Sequence, residues 1–269
     1  MVIDVVRSPD CQYASVILPA CTFLERDEHR VNVYQNLPCI TLRQKVIDPI
    51  HGLPDQLIWI KLARQMGFAD YFPWKNLREG ITDLLSPLNL SFQSLSDHGG
   101  IYEYEKRRYK KYEQQGFNTP TGKVEIESER LKSWRYDPSP IRDNVLHHVK
   151  YSDEFPLFLT TGGNLLGYLH WQYRYIPSLR KISPEPMFEA HPQTALRFGI
   201  AEGETAEVQT AHGKIQLEVH LTNRIRPDTI HIPQGWEEAN ANELTGIEDA
   251  DPLSGFPNLK SLRCRIQKI

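Results

Sequence analysis

Leu159-Thr160-Thr161-Gly162-Gly163-Asn164 is the stretch whose reading decides the fold. Phe155 to Thr160 is an apolar run of strand length that breaks directly into a polar turn with two adjacent glycines. Without a Cβ, backbone at Gly162 and Gly163 can approach a ligand closely and present its N–H groups. Thr161 and Asn164 add side-chain groups suited to phosphate oxygens or the edge of a heterocycle. Taken alone, the same residues also suit a tight structural turn with no ligand.

Outward from this turn the pattern is that of short strands. Pro192 to Phe198 predicts a short helix with proline near its start and Gly199 just past its end. Ala206 to Gln209 and Lys214 to Leu221 predict a hairpin with His212-Gly213 at its tip, in which Ile215, Leu217, Val219 and Leu221 alternate inward. Thr229 to Ile232 and Leu262 to Ile266 complete a small, closed β domain over residues 155–269. The upstream half has another period. Met1 begins in a strand, and Val16 to Leu18 read as a buried strand stopped by Pro19. Pro54 to Gly67 and Leu77 to Leu85 predict helices. Val124 and Ile126 against Glu125 and Glu127 predict a further strand. Pro138 and Pro140 mark an extended linker, placing the boundary between about Asp137 and Glu154 and the first domain, an α/β segment, at residues 1–150.

The 269 residues suffice for two domains. A net charge of −3 leaves no electrostatic footprint for nucleic acid or an acidic membrane. Lys106 to Lys111, interleaved with tyrosines and glutamates, read as a mixed-charge helix face in solvent. No apolar run reaches the ~20 residues of a membrane span. The N-terminus lacks the marks of a signal peptide, which favours the cytoplasm. Four cysteines form no C-x-x-C pair and stand at no zinc spacing with histidine, so they predict buried thiols rather than zinc or an iron–sulfur cluster. Glu25, Asp27 and Glu28 beside His29 read as a solvated loop. G-x-S-x-G and H-E-x-x-H are both absent from the sequence, so no catalytic residue is assigned.

Further binding candidates follow from position and chemistry. His170-Trp171-Gln172 comes one short loop after the glycine turn, and Gln172 offers both donor and acceptor; His170 also suits a packing role. Asn240 and Asn242 precede Leu244-Thr245 and suit a second wall for the same ligand, or plain turn formation. Trp236 fits either an apolar side of that wall or the core. Lys260 and Arg263 suit either phosphate contacts or a charged edge strand.

In their order, these segments resemble the molybdopterin-dinucleotide oxidoreductases of the dimethyl sulfoxide reductase family. The match rests on Cys11 to Glu28 with its Val-Ile-Leu-Pro step, Gly116-Phe117-Asn118-Thr119-Pro120-Thr121-Gly122-Lys123-Val124-Glu125, the turn at Thr161, and the Asn240 to Pro257 region. The resemblance covers nearly the whole chain and the C-terminal part of the family. It implies that residues from about Phe155 form a six-stranded double-psi barrel binding molybdopterin guanine dinucleotide, whose dithiolenes hold molybdenum or tungsten for oxygen-atom or electron transfer. Thr161, Gly162, Gly163, Asn164, His170, Trp171, Gln172, Trp236, Asn242 and Lys260 are the residues expected at that cofactor. Gly163 stands where the family turn usually has a basic residue, and Ser15 where it usually has aspartate. The family's cysteine cluster and metal-ligating residue have no counterpart here, so the implied partner is an N-terminal half or catalytic subunit, with self-association also expected. The alternative is a non-catalytic module that holds the cofactor or a protein partner.

Overall fold

The structure is a computed structural model that describes residues 1–32, 37–139, 152–163, 166–169, 172–248 and 250–269. The chain divides into two units, Met1–Glu125 and Ile126–Ile269, each with its own apolar core. The boundary expected between Asp137 and Glu154 falls largely on residues outside the described ones.

In the first unit, strand β1 (Val2–Asp4) pairs in parallel with β2 (Ile17–Pro19). β3 (Glu28–Asn32), β4 (Cys39–Arg43) and β5 (Ile101–Glu103) make an antiparallel sheet. Helices α1 (Asp55–Gln65), α2 (Leu77–Leu85) and α3 (Phe92–Asp97) follow β4, and α4 (Tyr112–Gln115) follows β5. The α2 start is a reciprocal cap: Asn76 accepts from the Glu79 N–H at 3.0 Å, while the Glu79 carboxylate accepts from the Lys75 N–H at 2.7 Å. Ser91 and Ser94 close a similar box on α3. One face of the sheet, through Ile40, Leu42 and Tyr102, packs on Ile81, Leu85, Phe92 and Leu95.

Four local expectations are corrected here. Glu25 and Asp27 are buried rather than solvated. Glu25 accepts from the backbone N–H groups of Thr22 and Ile50, and these bonds, Thr22 first, hold its carboxyl below the usual range. Asp27 accepts from the Lys45 N–H and pairs with Arg78 at 2.8 Å. These carboxylates cap loop amides, a use that a charge run does not announce. Val16 and Ile17 are half-exposed, because β2 has a pairing partner but no apolar cover. Lys106 to Lys110 form irregular chain with a bend at Tyr109, not a helix. Val124 and Ile126 alternate as a strand would, but no strand lies beside them among the described residues, so no ladder forms and both stay exposed.

The second unit begins with the short helix α5 (Glu129–Ser133) and then builds the barrel from β6 (Leu157–Thr161), β7 (Met187–Ala190), β8 (Thr205–Gln209), β9 (Lys214–Leu221), β10 (Thr229–Ile232) and β11 (Leu262–Lys268). Helix α6 (Pro177–Arg180) lies before β7, and α7 (Pro192–Phe198) after it. The barrel is closed in the order β10-β6-β11-β8-β9-β7. β6 with β10 and β7 with β9 are parallel; the other pairs are antiparallel. The period-2 alternation puts Leu157, Leu159, Phe188, Val208, Leu217, Val219, Ile230 and Ile266 inside. Full burial of each contributes roughly 1.5–3 kcal/mol. Closure leaves no strand edge unpaired; the closed β domain expected from the spacing is observed, with the six strands that the family resemblance implied.

All four cysteines are free and buried, and burial raises the Cys21 and Cys264 thiols above their ordinary range. Two outcomes follow. A thiol reagent such as dithionitrobenzoate should leave Cys264 unmodified in the native chain and react at all four sites only after denaturation. Phe188→Ala should cost about 3–5 kcal/mol in urea unfolding; a loss below 1 kcal/mol would mean that this side chain is not packed in the barrel.

Candidate functional site

The end of β6 is held by hydrogen bonds to the segments that flank β10 and β11. The Thr161 N–H donates to the Leu259 carbonyl at 2.8 Å, and the Gly162 N–H donates to the Ile232 carbonyl at 3.1 Å. Thr161 is fully buried, and its hydroxyl also donates to the Leu259 carbonyl, at 3.0 Å. Gln234, just after β10, donates to that hydroxyl at 3.3 Å. Lys260, just before β11, donates from Nζ to the Thr161 carbonyl at 2.5 Å. Segments far apart in sequence therefore meet here because their strands flank β6.

Gly162 and Gly163 have φ of +93° and +79°, backbone that only glycine adopts without strain. A Cβ on Gly162 would stand 3.0 Å from Lys260 Nζ. The Gly163 N–H has no partner among the described residues. His231 on β10 bridges two acceptors: Nε2 lies 2.6 Å from the Gly162 carbonyl and Nδ1 lies 3.1 Å from Glu189 Oε2 on β7. Sequence reading missed His231, Glu189 and Gln234. Their signal lies in register, since β10 alternation puts His231 outward, directly beside Glu189.

The second wall runs from Gln234 to Leu244. Gln234, Gly235, Asn240, Ala241 and Asn242 line a cavity of about 160 Å³. Asn240 caps the turn through its side chain, which accepts from the Asn242 N–H at 3.1 Å, and the Asn242 side chain is exposed. Gln234 belongs both to this cavity and to the Thr161 contacts.

Trp236 is 2% exposed, and its Nε1 is buried without a hydrogen-bond partner. It is sandwiched by the guanidinium carbons of Arg174 at 3.9 Å and Arg180 at 4.7 Å, with Tyr168 edge-on. Burial works to lower the pKa of Arg174, and Glu238 opposes this. Burial likewise works to raise Glu238, but hydrogen bonds from its own backbone and from Arg180 outweigh it and hold the carboxyl below the usual range.

Of the remaining expected residues, Asn164, His170 and Trp171 lie outside the described residues. Gln172 is exposed and pairs with Leu169 through backbone only, and no contact joins it to the turn among the described residues. Arg263 stacks on Phe158, its cross-strand neighbour, at 3.6 Å. No group of three or more potential metal ligands occurs among the described residues, and no helix there is long and apolar enough to cross a membrane.

Gly162→Ala tests the geometry directly. The forced φ costs about 1–2 kcal/mol, and the new methyl group crowds Lys260. The variant should unfold at lower urea, whereas Gly255→Ala, at a φ of +69° with open space around it, should show the φ cost alone. Equal losses in the two would remove the steric role of Lys260.

Comparisons with known proteins agree with this geometry. The family model described as "Molydopterin dinucleotide binding domain" matches residues 157–263, which span the barrel. Acetylene hydratase of Syntrophotalea acetylenica is 30% identical over 96% of this chain and 38% of its own length. The molybdopterin-containing subunit of a thiosulfate reductase from Salmonella typhimurium is 28% identical over 87% of this chain and 33% of its own length. The solved structure of acetylene hydratase from Pelobacter acetylenicus superposes with a TM-score of 0.83 at 26% identity, covering 97% of this chain and 39% of that one. The chain thus spans little more than a third of the length of these relatives. It belongs to the molybdopterin oxidoreductases of the dimethyl sulfoxide reductase family, which it matches over a C-terminal portion that includes their dinucleotide-binding domain.

Proposed function

We propose that the groove between the Thr161–Gly163 turn and the Gln234–Asn242 wall holds molybdopterin guanine dinucleotide. The observation that carries this reading is Gln234, which touches Thr161 and lines the Asn242 cavity at once. A dinucleotide has a diphosphate, a heterocyclic edge and flat apolar faces. The residues present fit each part. Gly162 and Gly163 leave the space that a Cβ would fill, and the Gly163 N–H is available as a donor. Lys260 brings an ammonium to the same turn. Gln234, Asn240 and Asn242 offer the paired donors and acceptors that a heterocycle reads. The buried Nε1 of Trp236 is a donor awaiting an acceptor.

When bound, the cofactor supplies molybdenum or tungsten redox chemistry through its dithiolenes. The work of this chain is to bind and orient it: Thr161 is locked in the barrel, the glycine turn gives close approach, and Lys260 sets positive charge beside the phosphates. In this reading the metal-ligating side chain and any iron–sulfur cluster come from outside these residues, on an N-terminal half or a catalytic subunit. Residues 1–150 then serve as the end of an α/β domain that docks with that part. Asn164, His170, Trp171 and Gln172 stay candidates for cofactor contacts on the family resemblance alone, and Trp236 backs the second wall.

The test is cofactor occupancy in the assembled enzyme, read by fluorescence of oxidised pterin released on denaturation. Lys260→Ala removes a charge-assisted contact of about 1.5–3 kcal/mol, so occupancy should fall ~10–100-fold. Asn242→Ala should lower it ~5-fold, the scale of a neutral hydrogen bond. The pair Glu103→Ala and Glu105→Ala should leave it unchanged. Unchanged occupancy in both site variants would falsify the assignment. A wild-type barrel that takes up no cofactor but binds a protein partner would favour the non-catalytic module.

A further inference from the structure

We propose that His231 is a positioning residue that sets the orientation of the Gly162–Gly163 peptide, and thereby aims the Gly163 N–H at the cofactor diphosphate. This rests on the binding reading above and adds the device that prepares the turn for it.

The peptide bond is planar and trans, so its C=O and N–H point in opposite directions. His231 Nε2 holds the Gly162 carbonyl at 2.6 Å, which turns the Gly163 N–H away from the ring. A pair of glycines has no steric preference of its own and flips at low cost. The preceding peptide, Thr161–Gly162, is already held on both sides, by Lys260 on the Thr161 carbonyl and by the Ile232 carbonyl on the Gly162 N–H. The Gly162–Gly163 peptide is therefore the first one beyond β6 that the barrel ladder leaves free, and His231 is what holds it.

The ring is itself fixed. On β10 it pairs in register with Thr160 of β6 on one side and Glu189 of β7 on the other, and Glu189 takes its Nδ1 at 3.1 Å. Carbonyl and carboxylate both accept only, so a neutral imidazole can serve one of them as donor and an imidazolium serves both. At 2.6 Å from the Gly162 carbonyl, Nε2 is at hydrogen-bond distance, inside ordinary van der Waals contact. The ring acts as a hydrogen-bond donor, with Glu189 as its brace.

The experiment uses the full chain with two readouts. The first is amide hydrogen exchange at Gly162, whose N–H is bonded to the Ile232 carbonyl at the base of the turn. The second is occupancy by molybdopterin guanine dinucleotide after co-expression with the cofactor machinery and the companion part. His231→Phe keeps the bulk and removes the donor; exchange should rise and occupancy fall, each by ~5–10-fold, the scale of one lost hydrogen bond. His231→Gln restores a donor and should recover most of both. Should His231→Phe fail to fold, Glu189→Ala carries the test, with a smaller change in the same direction. Unchanged exchange in His231→Phe, or a His231→Gln variant as impaired as His231→Phe, would overturn the role of His231. Raised exchange with unaltered occupancy would overturn its link to the diphosphate. A wild-type chain that takes up no cofactor sinks only the binding reading, because the exchange data still decide what holds the turn.

Discussion

Strand β6 is clasped along both edges, in parallel by β10 and antiparallel by β11, and the clasp continues past its last residue into the glycine turn. The loops that face the turn are the continuations of those same two strands. Leu259 and Lys260 lead into β11, and Pro233 and Gln234 lead out of β10. Barrel closure therefore fixes the distances at the site before any side chain contributes. A slip of one residue in the β6 register would carry Thr161 from the interior to the surface and withdraw its hydroxyl from Leu259 and Gln234.

The barrel was legible in the sequence because its strands alternate cleanly. Lys214 to Leu221 reads as one exposed and one buried residue in turn, and the structure has that pattern with Leu221 half-buried at the end. The glycine turn was legible for a related reason, as an abrupt break after an apolar run. What surrounds the turn was not. His231 and Glu189 sit on different strands, and only the β7–β10 register makes them neighbours. Nothing in the sequence marks Gln234, because its partner, Thr161, is 73 positions away. In the first unit, Glu25 and Asp27 misled because a carboxylate that caps buried amides has the same composition as one in water. Val124 and Ile126 misled the other way, since alternation makes a strand only where a neighbouring strand completes the ladder.

The second wall owes its form to electrostatics as much as to packing. Trp236 lies between two guanidinium groups, and Arg180 also meets Glu238 at 3.3 Å and Glu185 at 3.9 Å. Burying Arg174 is unfavourable by itself, but the indole face and the Glu238 charge offset the lost hydration. The segment after the glycine turn is thereby tied to the loop that carries Gln234 and Asn242.

The β8–β9 hairpin ends differently from most. Its tip lies on the turn Ala241–Leu244: Thr210 donates to the Leu244 carbonyl at 2.9 Å, and a Cβ on Gly213 would overlap the Glu243 carbonyl. Hairpin tips are ordinarily where a protein accepts inserted residues, loop exchange or new chain termini. Here that freedom is gone, because lengthening residues 211–213 would lift the tip off the element that carries Asn242. The connection from Thr222 to Asp228, whose polar side chains form only exposed or partly exposed contacts, has no such duty. The two ends of β9 thus answer to different neighbours: added length at the hairpin tip bears on the element that carries Asn242, whereas at the other end the Pro227 carbonyl accepts from Thr194 and the Asp228 carbonyl from the Phe158 N–H.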